Sequence, residues 1–281
     1  MKIGAVRAEI VSDGIFWLDA GGHFGLVPRV MWEKVAQPDE RNRVRLALNC
    51  LYLESEGKKI LVDTGLGGKL RERQIEIYSL ERNGGLLGSL DEIGVAPEEI
   101  DIVVDTHLHS DHCGGNTVRE GDSLVPAFPV AEYWVQRGEW EQASRPNERT
   151  RTTYLSENFE PIADRVRLLD GDASVTGEVH CRVTPGHTRH HQSVIIESEG
   201  EAAIFLADLS PWAIHFERLA WIPAYDVEPL VTLETKRLMQ RWALSTDALL
   251  IFEHDPGIPL GRLRQDKERL RMEPVPFQRR A

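Results

Sequence analysis

The sequence predicts a mixed α/β (α+β) fold, and three observations predict it. Short apolar or alternating stretches recur along the chain, each closed by Gly, Asp or Asn, as strands are. One longer stretch, 228–245, spaces Leu230, Leu233, Leu238, Trp242 and Leu244 as a helix does. Several of the apolar strands end in His or Asp instead of an ordinary turn.

Taken in order, 2–10 and 14–19 read as two strands joined at Asp13-Gly14. Residues 20–44, with Gly21-Gly22-His23-Phe24-Gly25 and a charged 38–42, read as a rim loop or flap. There His23 and Phe24 face either a substrate or local packing. Residues 45–54 and 59–63 form the next strand pair, ending at Asp63-Thr64-Gly65. A loop with weak helical pattern covers 66–95, and its clearest helix runs over 86–93 up to Gly94. Residues 127–135 form a strand. Helices are expected over 139–145 and 151–158, in a polar, Arg-rich insertion whose charges read as a solvated face. Strands follow at 165–170, 174–184, 190–198 and 201–207, then the helix over 228–245 and a buried strand at 248–252. The tail from Gly261 reads as a charged helix and a Pro-containing end. No repeat, low-complexity tract or composition break divides the chain, so a single domain over 1–281 is expected, its core at about 2–260 and a C-terminal helix and tail at 261–281.

The densest chemistry follows the apolar run Ile102-Val103-Val104. It is Asp105-Thr106-His107-Leu108-His109-Ser110-Asp111-His112-Cys113. Buried and unpaired, such groups would be costly. A divalent metal removes that cost, because imidazole and carboxylate are its natural N and O ligands. In an extended segment residues i and i+2 share a face, so His107 and His109 can grip one ion. Asp111 and His112, opening the next element, can turn to a second. An open catalytic zinc site takes three protein ligands; the fourth in this run points to two metals. Three further strand ends carry the same chemistry: His187 in Thr184-Pro185-Gly186-His187-Thr188, Asp208 after Ile204-Phe205-Leu206-Ala207, and His254 in Glu253-His254-Asp255. One such end alone is ordinarily structural; four are not.

Composition narrows the partners. Lys and Arg number 33 against 45 Asp and Glu, a net charge of -12, which argues against a nucleic-acid surface. No apolar run approaches a membrane span. Met1 to Val6 reads as a first strand instead of a signal peptide. Cys50, Cys113 and Cys181 show no paired spacing, so disulfides are not expected and the cytoplasm is the expected compartment. Cys113 reads as a core residue beside the metal run.

With these residues assembled, the chain resembles the metallo-β-lactamase-fold hydrolase superfamily. The resemblance rests on H-x-H-x-D-H at 107–112, G-H-T at 186–188, Asp208, His254 and the D-T-G at 63–65, in the family's order, and spans roughly residues 2–260. It implies an αββα sandwich of two mixed β-sheets flanked by helices, with the metals at one edge. It further implies that His107, His109 and His187 hold one metal, that Asp111, His112 and His254 hold the other, and that Asp208 bridges them. Two divalent ions are then the cofactors, zinc first, with manganese, cobalt and iron open. Asp63, Asp105 and Thr188 are expected to fix His tautomers.

Within the superfamily the chain looks most like the lactonase and esterase branch, which includes quorum-quenching lactonases and organophosphate-hydrolysing relatives. Phe24-Gly25-Leu26-Val27-Pro28 and Phe128-Pro129 agree with that branch. The expected activity is opening of a small lactone or ester by a metal-bridging hydroxide, with Asp111 and Asp208 as catalytic residues and a homodimer compatible with the C-terminal region. The alternatives are an organophosphate or arylester hydrolase, a mononuclear-iron persulfide-type oxygenase, a phosphodiesterase and a metal-stabilised interaction protein. One departure stands out. Many of these lactonases carry a Tyr three residues after the bridging Asp, where it helps polarise the substrate carbonyl; here that position is Pro211. Tyr225, His215 and His191 are the available substitutes.

Overall fold

The computed structural model describes residues 1–267 and 269–277. Two seven-stranded sheets dominate it. In the first, the order is Lys2–Ile3, Val6–Asp19, Arg43–Ser55, Lys58–Val62, Ile102–Val104, Glu132–Gln136 and Val166–Leu169. In the second it is Ala173–Ser174, Val179–Val183, Gln192–Ser198, Glu201–Phe205, Leu249–Ile251, Leu260–Asp266 and Arg269–Pro274.

Period-2 alternation decides which side chains meet. Ile60, Val62, Ile102 and Val104 face inward and pack against Val194, Ile196, Ala203, Phe205 and Ile251 of the other sheet. Leu61 and Val103 face outward, under Leu86 and Leu90 of the helix Gly85–Glu92. On the far side, Ile204 and Leu250 face Phe216 and Ala243, from the helices Ala213–Glu217 and Pro229–Thr246. The result is the expected αββα sandwich of two mixed sheets.

Strand direction places the chemistry. Lys58–Val62, Ile102–Val104 and Glu132–Gln136 run parallel, as do Glu201–Phe205 and Leu249–Ile251. Parallel strands collect their carboxyl ends on one edge, so Asp63, the 105–112 run, Asp208 and His254 emerge together. Polar ties join the two sheets there. Gln192 N–H donates to the Thr106 carbonyl at 2.9 Å, its side-chain amide donates to the Asp105 carbonyl at 2.9 Å, and Gln136 Nε2 donates to Gln192 Oε1 at 2.8 Å.

Three sequence expectations are corrected. The first two strands are one, Val6–Asp19, with its register shifted between Ser12 and Gly14. The shift frees Asp13 to accept from Gly67 N and Leu86 N and to pair with Arg82 at 2.6 Å. Gly14 sits at φ 129°, and a Cβ there would lie 2.5 Å from the Glu81 carbonyl oxygen. Second, residues 148–153 form turns, and helix begins only at Ser156–Phe159. Third, the tail is not a helix. Leu260–Asp266 and Arg269–Pro274 form a hairpin that extends the second sheet. Its Arg and Glu side chains favour a helix by propensity, but an exposed edge strand also takes such charges, which discourage further pairing. Leu263 and Met272, opposite one another in the register, pack on the apolar cluster under the long helix. The last residues of the expected tail, 278–281, and Glu268 lie outside the described residues. No helix among the described residues is long and apolar enough to cross a membrane.

Candidate metal centre

The structure brings all seven sequence-predicted site residues to one place. Ligand atoms of His107, His109, His187 and Asp208 lie within 4.8 Å of one another, and so do those of Asp111, His112 and His254. Six of the seven are buried, while Asp111 is half-buried at the mouth.

Three of the five imidazoles are held by the nitrogen that faces away from the centre. His187 Nδ1 bonds Asp226 Oδ1 at 2.9 Å, and Asp226 in turn accepts from Thr232 Oγ1 at 2.7 Å. His112 Nδ1 lies 3.0 Å from Asp63 Oδ2 and 3.0 Å from Glu253 Oε2. His254 Nδ1 donates to the Ala47 carbonyl at 2.8 Å. With Nδ1 occupied in this way, Nε2 of each of these three rings is the atom that faces the centre. There His254 Nε2 and His112 Nε2 lie 3.2 Å apart, and His187 Nε2 and His109 Nδ1 lie 3.0 Å apart. His107 Nε2 and Asp208 Oδ1 are buried without a hydrogen-bond partner. Converging lone pairs and orphaned acceptors repel one another unless a cation sits among them, so this donor set fits divalent ions.

Asp208 touches both groups. Its Oδ2 is 3.0 Å from His187 Nε2 and 3.6 Å from His112 Nε2, and its Oδ1 is 3.2 Å from His254 Nε2. Burial would raise its pKa, but His187, His254 and His112 hold it well below the usual carboxylate range. Burial, reinforced by neighbouring imidazoles, pushes His107 and His109 well down, so both are neutral, the ligand form. Backbone strain sits at the same edge: Asp63 and Ala207 adopt φ of 57° and 46°. Gly186, at φ 140°, lets the His187 loop touch Thr232, where a Cβ would lie 2.4 Å from the Thr232 nitrogen.

Of the residues expected to orient the histidines, Asp63 does so. It also accepts from Thr106 N and Oγ1, both at 2.7 Å. Asp105 instead accepts from the Asn116 amide, and Thr188 donates to Glu139 at 2.7 Å. Three residues that sequence reasoning missed hold the centre. Asp226 orients His187, Glu253 lies against His112, and buried Glu139 collects Leu108 N, Tyr154 Oη and Thr188 Oγ1. Only Glu253 carried a signal, its place beside His254. The group Asp63, His112 and Glu253 is also compact enough for an ion. Because both carboxylates face His112 Nδ1, it reads instead as support for that ring. Burial pushes Glu253 up to about 8, with His112 opposing.

Beside the centre lies a cavity of about 270 Å³. Phe16, Leu18 and Leu66 form its apolar wall, and His109, Asp111, His187, Asp208 and Tyr225 its polar one. A larger open groove of about 610 Å³ along Asp39, Arg43 and Ser79 contains none of the clustered histidines. Phe24 does not face the cavity; it stacks on Trp32 with ring centroids 5.1 Å apart. The three cysteines are buried and free.

Three more histidines, His23, His191 and His215, are buried outside the donor set; burial pushes His215 well below its ordinary value and lowers the other two to about 3. Their folded pKa lies below the ordinary 6.5, so between those values the unfolded chain binds the extra protons. Stability is therefore expected to fall as pH drops from 6.5 toward 3, each histidine contributing up to about 1.4 kcal/mol per pH unit. Urea midpoints between pH 7 and 5 measure this. His191→Gln should flatten the slope by one proton, and an unchanged slope would contradict a neutral His191.

A two-sheet sandwich with a buried His and Asp cluster on its carboxyl edge is the frame of a metal-dependent hydrolase. The family model of the metallo-beta-lactamase superfamily matches residues 44–261, and the chain belongs to that superfamily. It is 29% identical over 218 residues to an N-acyl homoserine lactonase of a Bacillus species, covering 73% of this chain and 80% of that protein. Among solved structures, a probable metal-dependent hydrolase from Staphylococcus aureus superposes with a TM-score of 0.91 at 26% identity, covering 99% of this chain and 100% of that one. A dizinc quorum-quenching lactonase shares the fold with a TM-score of 0.82 at 21% identity, over 99% of this chain and 97% of that one.

Proposed function

We propose that the chain hydrolyses a small lactone or ester at a centre of two divalent ions. His107, His109 and His187 would hold one ion, Asp111, His112 and His254 the other, and Asp208 would reach both. The observation that carries this reading is Asp208, whose two oxygens face histidines of both groups. The Bacillus lactonase likeness supports the substrate class. When bound, two such ions supply Lewis acidity for a carbonyl oxygen and a nucleophilic water near neutral pH. A His-rich set suits zinc, with manganese, cobalt or iron as the alternatives that metal analysis would separate.

The chain's own groups do the rest. Asp226, Asp63 and the Ala47 carbonyl hold the Nδ1 protons of His187, His112 and His254, so the rings keep one tautomer and one orientation. Asp111, the half-buried member of the set, lines the cavity and is placed to orient the attacking water and pass its proton to the leaving oxygen. Phe16, Leu18 and Leu66 give an acyl chain an apolar wall and exclude water beside it.

The test is an initial-rate panel of lactones, aryl esters, thioesters and phosphotriesters, with the protein loaded with zinc or manganese. Lactones well ahead are the expected result. Phosphotriesters or aryl esters ahead would move the substrate to the organophosphate and arylester class. Iron at one ion per chain with oxygen consumption would replace the reading by an oxygenase.

A further inference from the structure

Tyr225, which lines the cavity beside the centre together with Tyr78, is an uncharged hydrogen-bond donor held in place by the fold. It lies between the helices Ala213–Glu217 and Pro229–Thr246, in a segment pinned from several sides. Ala224 N donates to the Gly22 carbonyl at 2.9 Å and Val227 N to the His187 carbonyl at 3.0 Å. Buried Lys236 donates to the carbonyls of Leu219 and Trp221 at 3.1 and 2.8 Å. The next residue, Asp226, is the one that holds His187. Tyr225 is therefore positioned relative to the donor set by main chain on both sides.

Among the described residues its hydroxyl has one hydrogen-bond partner, His23 Nδ1 at 3.0 Å. Which atom donates follows from the other side of the His23 ring. Nε2 is buried and has no partner. An orphaned buried N–H is rarer and costlier than an under-used acceptor, so the proton belongs on Nδ1. His23 Nδ1–H then donates to Tyr225 Oη. That contact fixes the phenol oxygen and leaves its O–H free for an acceptor in the cavity. The other candidates are excluded by position. His215 is buried and donates from Nε2 to the His23 carbonyl at 3.1 Å. His191 is buried with Nδ1 at 2.9 Å from Thr184 Oγ1, and neither ring lines the cavity.

We propose that Tyr225 donates its hydroxyl hydrogen bond to the substrate oxygen that gains charge during hydrolysis, with His23 as the positioning residue that keeps this hydroxyl free. The inference rests on the hydrolase reading above and adds a residue to it. In the reaction, the oxygen of water bonds to the carbonyl carbon and the carbon–oxygen bond to the leaving group breaks. The leaving oxygen takes a proton released by the water. Tyr225 keeps its own proton and stabilises the oxygen's charge through the hydrogen bond alone.

The test pairs kinetics with nitrogen NMR. Tyr225→Phe should retain metal and fold and lower kcat by about 10²-fold, with a smaller change in KM. His23→Leu should lower kcat by about tenfold, and His23→Gln, whose amide N–H can still donate, should recover most of it. In protein labelled with 15N-histidine, the His23 signals should report a protonated Nδ1 and a bare Nε2. A Tyr225→Phe kcat within threefold of wild type, or a His23 proton on Nε2, would overturn the inference. If the wild type turned over nothing in the substrate panel, the hydrolase substrate would be the reading that failed. The His23 signals would still decide the arrangement at Tyr225, as they would if Tyr225→Phe did not fold.

Discussion

Asp208→Ala is expected to lower hydrolysis by about 10³-fold or more, equivalent to a loss of about 4 kcal/mol in transition-state stabilisation. The expectation comes from position more than charge. Asp208 is the carboxylate whose separate oxygens approach His187 and His254, so it sets the distance between the two donor groups. Alanine leaves five inward-facing imidazoles with half-buried Asp111 as the one remaining carboxylate of the seven. Metal content should fall with activity. The fold should persist, because the strand Glu201–Phe205 that leads to Asp208 is held by pairing on both sides. Metal analysis, circular dichroism and steady-state rates on one preparation check this. His109→Ala should behave alike. Near-wild-type turnover in a metal-depleted form of either variant would count against the whole scheme.

Removing the metal from the unaltered chain should abolish turnover and also destabilise the protein. The seven donors sit on five separate segments, 107–109, 111–112, 187, 208 and 254, drawn from both sheets, so an ion links elements that otherwise meet only at their edge. A ligand present at about 100 times its Kd stabilises the folded state by about 2.7 kcal/mol. For a chain of this size that is roughly 5–10 °C in Tm. Thermal melts before and after chelation, with restoration by added metal, measure it. A chelated protein with an unchanged Tm would mean that the donors are ordered without the ion.

The donor types were legible because metal binding restricts chemistry more than it restricts fold. His107, His109, Asp111 and His112 lie within one short run, so local spacing revealed them. His187, Asp208 and His254 were legible for a different reason: each ends a run whose apolar character marks a strand. The parallel strands Ile102–Val104 and Glu201–Phe205 then carry their ends to the same edge. The two layers of helix were expected from the resemblance to the superfamily, not from alternation.

Other features had no local signal. Asp226 lies in a loop 39 residues from His187, and nothing in Pro223-Ala224-Tyr225-Asp226 states what it will touch. Glu139 looked like one more charge on a solvated helix, yet it is buried and accepts three hydrogen bonds. The C-terminal hairpin was concealed because charged residues suit both an exposed helix and an edge strand. His23 and Tyr225 lie 202 residues apart, and their hydrogen bond exists only because the N-terminal segment folds against the loop before the long helix.

By itself the sequence showed the strand and helix pattern and the His and Asp residues gathered at strand ends, because hydrophobic period and ligand chemistry are written in residue types and short spacings; the sandwich and the seven-residue donor set were expected from the resemblance to the superfamily. Only the tertiary structure decided which groups hold the imidazoles and what lines the cavity, Tyr78 and Tyr225 included. Those are contacts between distant segments, set by packing and hydrogen-bond satisfaction that no local pattern encodes.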